Sequence, residues 1–489
     1  MHGEVRAPEI NRPGLQWFNV ARPLSLADLR GRIVILDFWT FCCINCMHIL
    51  PILRRVEEAF PTEVAVIGVH SPKFTAERDA GNLQRAIARY GIVHPVVQDT
   101  DFRLWKAYTV RAWPTLMFLG PDGSVLGQHS GEPDPERLLQ VIGKLVAQAK
   151  AAGDLRPSLL DLAPAKAAAG RLSFPGKMKP LAAGDGVAGW VIADGGHHQI
   201  VVVDSDGRER RRFGTGAPGF ADGDGDSASF NNPQGLIAAP DHVYVADTGN
   251  HAIRRIDLAD GRVITLAGTG QRGRALPMAA AAGETALASP WDLELDRHRL
   301  YFANAGTHQL GLIDLGRGSL HRLAGDGGEA IVDGPADEAR LAQPSGLALS
   351  PDGTQLYFAD SETSAVRTVT LEASPTVTTL VGTGLFDFGH RNGSFAEARL
   401  QHPLGIAWYD GKLLVADSYN GVIRLLDPRR GEVSDFDDGS YLCGDPICIP
   451  ASEPAGVAVA GDRVFLVDTN NHRVLVYDPA TKQYRTWFA

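Results

Sequence analysis

A chain of 489 residues is too long for one ordinary hydrophobic core, so two or three domains are expected. At 44% hydrophobic and 21% charged the composition is that of a globular protein, and a net charge of −10 argues against general attraction to nucleic acid or anionic membranes. No apolar run approaches the roughly 18 residues that span a bilayer, residues 1–6 lack a basic leader followed by an apolar stretch, and five cysteines suit a reducing compartment, so a cytoplasmic protein is expected.

Residues 1–31 include Leu15-Gln16-Trp17-Phe18-Asn19 and a second piece ending in the turn glycine Gly31. The apolar run Ile33-Val34-Ile35-Leu36 then leads through Asp37-Phe38-Trp39-Thr40-Phe41-Cys42 to Cys43-Ile44-Asn45-Cys46. Apolar positions at Ile49, Ile52, Leu53, Val56 and Phe60 follow with helical spacing. This order predicts strand, tight turn and helix, with Cys43 at the helix start. Unpaired N–H groups there favour a thiolate over a thiol. A Cys-x-x-Cys in this setting reads as a dithiol couple in which Cys43 attacks a disulfide and Cys46 resolves the mixed disulfide. A structural cysteine pair or half a zinc site is the competing reading.

Val64-Ala65-Val66-Ile67-Gly68-Val69-His70 predicts a buried parallel strand. A helix is expected over 76–90, a strand over 93–97, a helix over 101–108 and a strand over 113–119. The turn Gly120-Pro121-Asp122-Gly123 opens a hairpin to 125–128, and 134–151 is a helix with Pro135 in its first turn. The fold class expected for this part is α/β, a mixed sheet covered by helices on both faces.

Residues 15–151 resemble the thioredoxin superfamily. The resemblance rests on Asp37-Phe38-Trp39 placed six residues before Cys43 and on Trp113-Pro114-Thr115. It implies that Pro114 is the cis-proline that faces the disulfide and aligns an incoming chain. It also implies that Asp37 is the buried carboxylate that accepts a proton as Cys46 becomes the second nucleophile. Cys42 stands where the superfamily has an aromatic residue, and Ile44-Asn45 replace the usual Gly-Pro or Pro-Pro, so the family's redox potential does not transfer. Cys42 reads as a small buried hydrophobe and His48 as an exposed helix residue.

Residues 150–170 are rich in Ala, Lys and Pro and predict a linker. The remainder is a repeat. An eleven-residue block begins at Asp194, Asp247, Asn304, Asp360, Asp417 and Asp468, with an apolar seventh position at Ile200, Ile253, Leu310, Val366, Ile423 and Val474. β-Rich runs precede each block and follow most, and a Pro-x-[Gly/Asp]-apolar step lies upstream of blocks two to six. Four strands per period without helices predict an all-β propeller of six blades over 171–489; the 54 glycines and 30 prolines fit so many turns. The blades resemble NHL repeats, most closely at 247–254 and 417–424, and depart most in the third, with Asp292 and Asn304.

The two parts together resemble the NHL-repeat-containing protein 2 family, to which the string Cys42-Cys43-Ile44-Asn45-Cys46 also points. The expected organisation is a thioredoxin-like domain over 1–150, a linker over 151–170 and the propeller over 171–489.

Several motifs are better read as structure. Gly214-Thr215-Gly216 and Gly268-Thr269-Gly270 begin G-x-G-x-x-G matches but open no helix, so they are turns. Asp222-Gly223-Asp224-Gly225-Asp226 has Pro233, not Glu, at the twelfth position of a calcium loop. His198, His251, His308 and His472 share one block position and read as turn residues on separate blades. Cys443 and Cys448 read as free thiols, a local disulfide or a second redox pair.

No motif calls for a cofactor or a resident metal. The function expected is a thiol–disulfide oxidoreductase whose propeller selects a protein partner or a disulfide-containing protein substrate, with no nucleic acid or membrane involved. The alternative is a non-enzymatic scaffold or redox sensor working through the propeller surface.

Overall fold

The computed structural model describes residues 5–164, 170–183, 186–436 and 450–489. The chain divides into two compact units, Met1–Ala167 and Ala168–Ala489. Cys443 and Cys448 lie outside the described residues. Among the described residues no helix is long and apolar enough to cross a membrane.

The first unit is an α/β sandwich. Its strands are β1 (Gln16–Phe18), β2 (Ile33–Trp39), β3 (Val64–His70), β4 (Val96–Gln98), β5 (Thr115–Leu119) and β6 (Val125–Ser130), in the sheet order β1-β4-β3-β2-β5-β6. β2, β3 and β4 run parallel, while β1, β5 and β6 pair antiparallel, so the sheet is mixed. β2 and β3 are buried along their whole length, as their continuous apolar runs require.

Among the described residues four helices complete the unit: α1 (Ile44–Ala59), α2 (Ala80–Arg89), α3 (Arg103–Ala107) and α4 (Pro135–Ala152). Ile49, Leu53 and Val56 of α1 and Leu138, Ile142 and Val146 of α4 pack on Ile33, Ile35, Val64, Val66 and Leu116. The opposite face takes Leu104 of α3 with Ile10, Leu24 and Leu29 against Val34, Leu36, Phe38 and Ile67. Asp134 caps α4 by accepting the Arg137 N–H at 2.8 Å, and Gly153 ends it at φ 74°. Beyond that glycine the backbone returns to the unit, with the N–H groups of Arg156 and Ala163 donating to the carbonyls of Gly31 and Asn19 at 2.8 Å each.

The expected helix over 76–90 is two elements. A 3-10 turn covers Ala76–Arg78, and α2 starts anew at Asp79, whose side chain accepts the Asn82 N–H. β1 escaped the sequence pattern because three residues at a sheet edge show no period.

The second unit is a six-bladed propeller of six antiparallel sheets. Among the described residues each blade has four full strands, and blades two to five add a short fifth at the outer edge. In blade two, Gly223–Asp224 pairs with Arg262–Ala267. The repeated block is the turn between the second and third strands. Its first residue ends a strand, a 3-10 turn follows, and the fifth position is left-handed: His198, His251, His308, Ser364, Gly421 and His472 have φ between 51° and 68°. The turn reading of the four histidines holds, and each does more. Nδ1 of His198, His251, His308 and His472 accepts the N–H of Asn232, Ser289, Gln343 and Phe174 at 3.0–3.1 Å. Each donor precedes the proline that opens the next blade, so the histidine is a latch between blades.

Hydroxyls form a second latch. Thr248, Ser361 and Ser418 donate to the carbonyls of Pro290, Pro403 and Pro454, and Thr469 donates to Pro175 at 2.8 Å. The last of these, with His472 and Phe174, closes the ring of blade six on blade one.

At the innermost strands Gly235, Gly346, Gly405 and Gly456 occupy one level against the next blade's backbone; a Cβ would collide with it at Gly235, Gly346 and Gly405 and crowd it at Gly456. Blades one and three carry Lys177 and Asp292 at this level, and their side chains meet at 2.7 Å. Two residues further on, Lys179 meets Glu294 at 2.6 Å. Asp292, which breaks the repeat, is thus half of a buried ion pair made between blades that are not neighbours.

Candidate functional site

β2 ends at Trp39, and Thr40, Phe41 and Cys42 form the turn into α1. Cys43 holds the N-cap position with extended backbone (φ −81°, ψ 117°), and Ile44 begins the helix. Helix geometry then fixes the two sulfurs differently. Cys43 is partly exposed, while Cys46 lies one turn on and is fully buried. Burial pushes the Cys46 thiol well above its ordinary range, helped by contact with the Cys43 thiol and by the charge of Asp37, while a backbone hydrogen bond from Thr40 pulls the other way.

Asp37 is fully buried on the β2 face that carries Ile33 and Ile35. Neither carboxyl oxygen has a hydrogen-bond partner among the described residues, and burial lifts its pKa to about 8. Its strand neighbour on β3 is Gly68, which brings no cation. The Trp113–Pro114 peptide is cis. The Pro114 carbonyl accepts the Gly131 N–H at 2.8 Å, and Trp113 Nε1 donates to the Ser71 carbonyl at 3.0 Å, so both ends of that dipeptide are tied down.

Cys42 is fully buried, as a small hydrophobe would be, with its sulfur 3.8 Å from Thr40 Oγ1. His48 departs from expectation. Its side chain is only 6% exposed and Nδ1 lies 2.9 Å from Glu132 Oε1. Glu132 adjoins the Gly131 that binds Pro114, so this pair joins α1 to the cis-proline segment. Helical position alone could not reveal a partner 84 residues away.

Two residues of the site had no signal in the sequence. Glu77, fully buried, sits in the 3-10 turn after β3 and accepts the Thr40 hydroxyl and the Cys42 N–H. His70 ends β3, is fully buried, stacks on Phe41 at 5.3 Å and has no hydrogen-bond partner on either ring nitrogen among the described residues. Desolvation holds its pKa down at about 3, so its imidazole is neutral. Both lie at the carboxyl ends of parallel strands, where open α/β sheets place their sites.

Among the described residues no group of three or more His, Cys, Asp or Glu side chains is gathered as a metal would require. The Cys43 and Cys46 thiols lie together with the buried Asp37 carboxyl near Cys46, and the cis Pro114 immediately precedes β5, the strand that pairs with β2.

Comparison with known proteins matches both units. A thioredoxin-like family model covers residues 31–125, and an NHL-repeat model covers residues 452–477. The chain is 39% identical over 510 residues to NHL repeat-containing protein 2 of Bos taurus, spanning 96% of this chain and 70% of that one. It is 36% identical over 491 residues to the chloroplastic protein SUPPRESSOR OF QUENCHING 1 of Arabidopsis thaliana, spanning 95% of this chain and 46% of that one. Over 111 residues it is 30% identical to the thiol-disulfide oxidoreductase ResA of Bacillus subtilis, 22% of this chain and 58% of that one. The first unit is therefore related to thiol–disulfide oxidoreductases, and the chain as a whole, thioredoxin-like unit and six-bladed propeller together, belongs to the NHL repeat-containing protein 2 family.

Proposed function

We propose that the chain is a thiol–disulfide oxidoreductase working through Cys43 and Cys46, with the propeller binding the protein it acts on. The observation that carries this reading is the arrangement of one partly exposed and one buried thiol, with a buried carboxyl near the second that burial lifts to about pH 8. In the forward step the Cys43 thiolate attacks a substrate disulfide and releases one substrate sulfur. Cys46 then passes its proton to Asp37 and attacks the Cys43 sulfur. This releases the second substrate thiolate and leaves a Cys43–Cys46 disulfide. The dithiol loses two electrons and the substrate disulfide gains them. Pro114 lines up the substrate chain. A cytoplasmic location belongs to the same reading, since a reducing compartment would keep the couple recharged.

The test is turnover of a model protein disulfide such as that of insulin in the presence of a reductant. Cys43→Ser is expected to abolish it, and Cys46→Ser to accumulate a mixed disulfide. A wild-type chain without disulfide reactivity ends this reading.

The scaffold reading draws on one feature of the propeller. Phe220, Met278, Val332 and Phe386 are large apolar side chains exposed to solvent, each in a loop that joins one blade's outer strand to the next blade's inner strand. A partner retained after loss of both cysteines would favour it.

A further inference from the structure

The turn before Cys43 is held by a residue from the 3-10 turn that follows β3. Glu77 Oε1 accepts the Thr40 hydroxyl at 2.7 Å and the Cys42 N–H at 2.9 Å. Its Oε2 accepts the N–H groups of Lys73 and Phe74 at 2.8 and 2.9 Å. One fully buried carboxylate thus ties the loop after β2 to the loop after β3. Such a group is costly to bury unless fully hydrogen-bonded, and here both oxygens are each met by two donors.

The tie bears on the sulfurs through Thr40. Its hydroxyl is held by Glu77, and its backbone stands near enough to Cys46 to oppose the rise of that thiol's pKa. Cys42, also held by Glu77, is covalently joined to Cys43. Exchange between the two cysteines requires Cys46 Sγ to approach Cys43 Sγ in line with the bond that breaks. The stretch from Thr40 to Cys43 sets where that line points.

We propose that Glu77 is a positioning residue for the dithiol: by fixing Thr40 and Cys42 it holds the turn in the geometry that the resolving attack of Cys46 needs. The inference rests on the oxidoreductase reading above. The initial attack by Cys43 depends on that sulfur's exposure and on its place at the helix start, whereas the Glu77 oxygens bond to Thr40, Cys42, Lys73 and Phe74. The resolving step depends on the relation between the two sulfurs, so it is the step that Glu77 governs.

The experiment follows one encounter with oxidised glutathione in the full-length chain. Cys43 attack gives a Cys43–glutathione mixed disulfide and one glutathione thiolate. Cys46 attack gives the Cys43–Cys46 disulfide and a second. Acid quenching and mass spectrometry of the peptide containing Cys43 and Cys46 separate the two species in time. In Glu77→Gln, whose amide no longer offers two acceptor oxygens, the mixed disulfide is expected to form within about threefold of the wild-type rate and to resolve at least about tenfold more slowly. Glu77→Asp keeps both oxygens on a shorter arm and is expected to fall between. It also serves as the test variant, under the same criteria, if thermal melting shows Glu77→Gln to be unfolded.

Equal slowing of both steps, or no slowing of resolution, in the folded variant overturns the proposal. A wild-type chain that forms no mixed disulfide removes the redox reading and this role together, whereas normal resolution in wild type and variant alike removes only the role of Glu77.

Discussion

The buried aspartates of the propeller blocks and Asp37 of the thioredoxin-like unit are held in opposite ways. In the propeller Asp247 accepts from the Asn231 N–H, from Asn250 Nδ2 and from Arg254, all within 2.9 Å. Asp417 has the same three kinds of partner in Gln401, Asn420 and Arg424. Arg254, Arg367 and Arg424 are fully buried beside their aspartates. In the thioredoxin-like unit Asp37 and His70 are equally buried and have no hydrogen-bond partner among the described residues.

The energies explain the contrast. An unpaired buried polar group costs on the order of 1–3 kcal/mol, and a fold keeps it only where something else depends on it. Paired carboxylates hold blades together; an unpaired one is free to take up and give back a proton. Blade three sharpens the point. Asn304 replaces the aspartate, and Gly311 stands where blades two, four and five place the partner arginine, so both charges are lost together.

The largest test of the contrast lies in the propeller channel. Lys177→Met leaves Asp292 buried without its cation, and a loss of about 3–5 kcal/mol is expected in urea unfolding of the second unit. Replacing both residues by glycine, which four other blades carry at this level, removes both charges and should cost clearly less. A double variant as unstable as the single one would show that the pair is not the reason for the loss.

A smaller effect of opposite sign is expected at Asp37. Its carboxyl titrates near pH 8 in the folded chain and near the ordinary carboxylate value of about 4 when unfolded. Between those values the folded chain holds a proton that the unfolded chain has lost. Stability therefore falls as pH rises, by about 1.4 kcal/mol per pH unit. Asp37→Asn should abolish that slope in the first unit when urea unfolding is compared between about pH 6 and 8. Parallel slopes in the two proteins would mean that Asp37 is not protonated in the folded state.

The architecture was legible in the sequence to an unequal degree. The blades stood out because each repeats one solution to the same packing problem, and the latch residues recur with it. The strand–turn–helix around Cys43 stood out because strand and helix periods meet at the cysteines. The short fifth strands and β1 did not, since two or three residues carry no period.

At the site, Cys43, Cys46, Asp37 and Pro114 could be named from local spacing and resemblance. Glu77, His70 and the pairing of His48 with Glu132 could not. Their significance lies in contacts between loops that are distant in the chain. His48, expected to be an exposed helix residue, is covered by Glu132 from the segment before α4.

The most direct measurement of the central claim is the pH profile of the resolving step, read from the decay of the Cys43–glutathione mixed disulfide in wild type and in Asp37→Asn. The wild-type rate should rise through about pH 8 as Asp37 becomes able to accept the Cys46 proton, and that rise should vanish in the variant. Superimposable profiles in the two proteins would contradict the account.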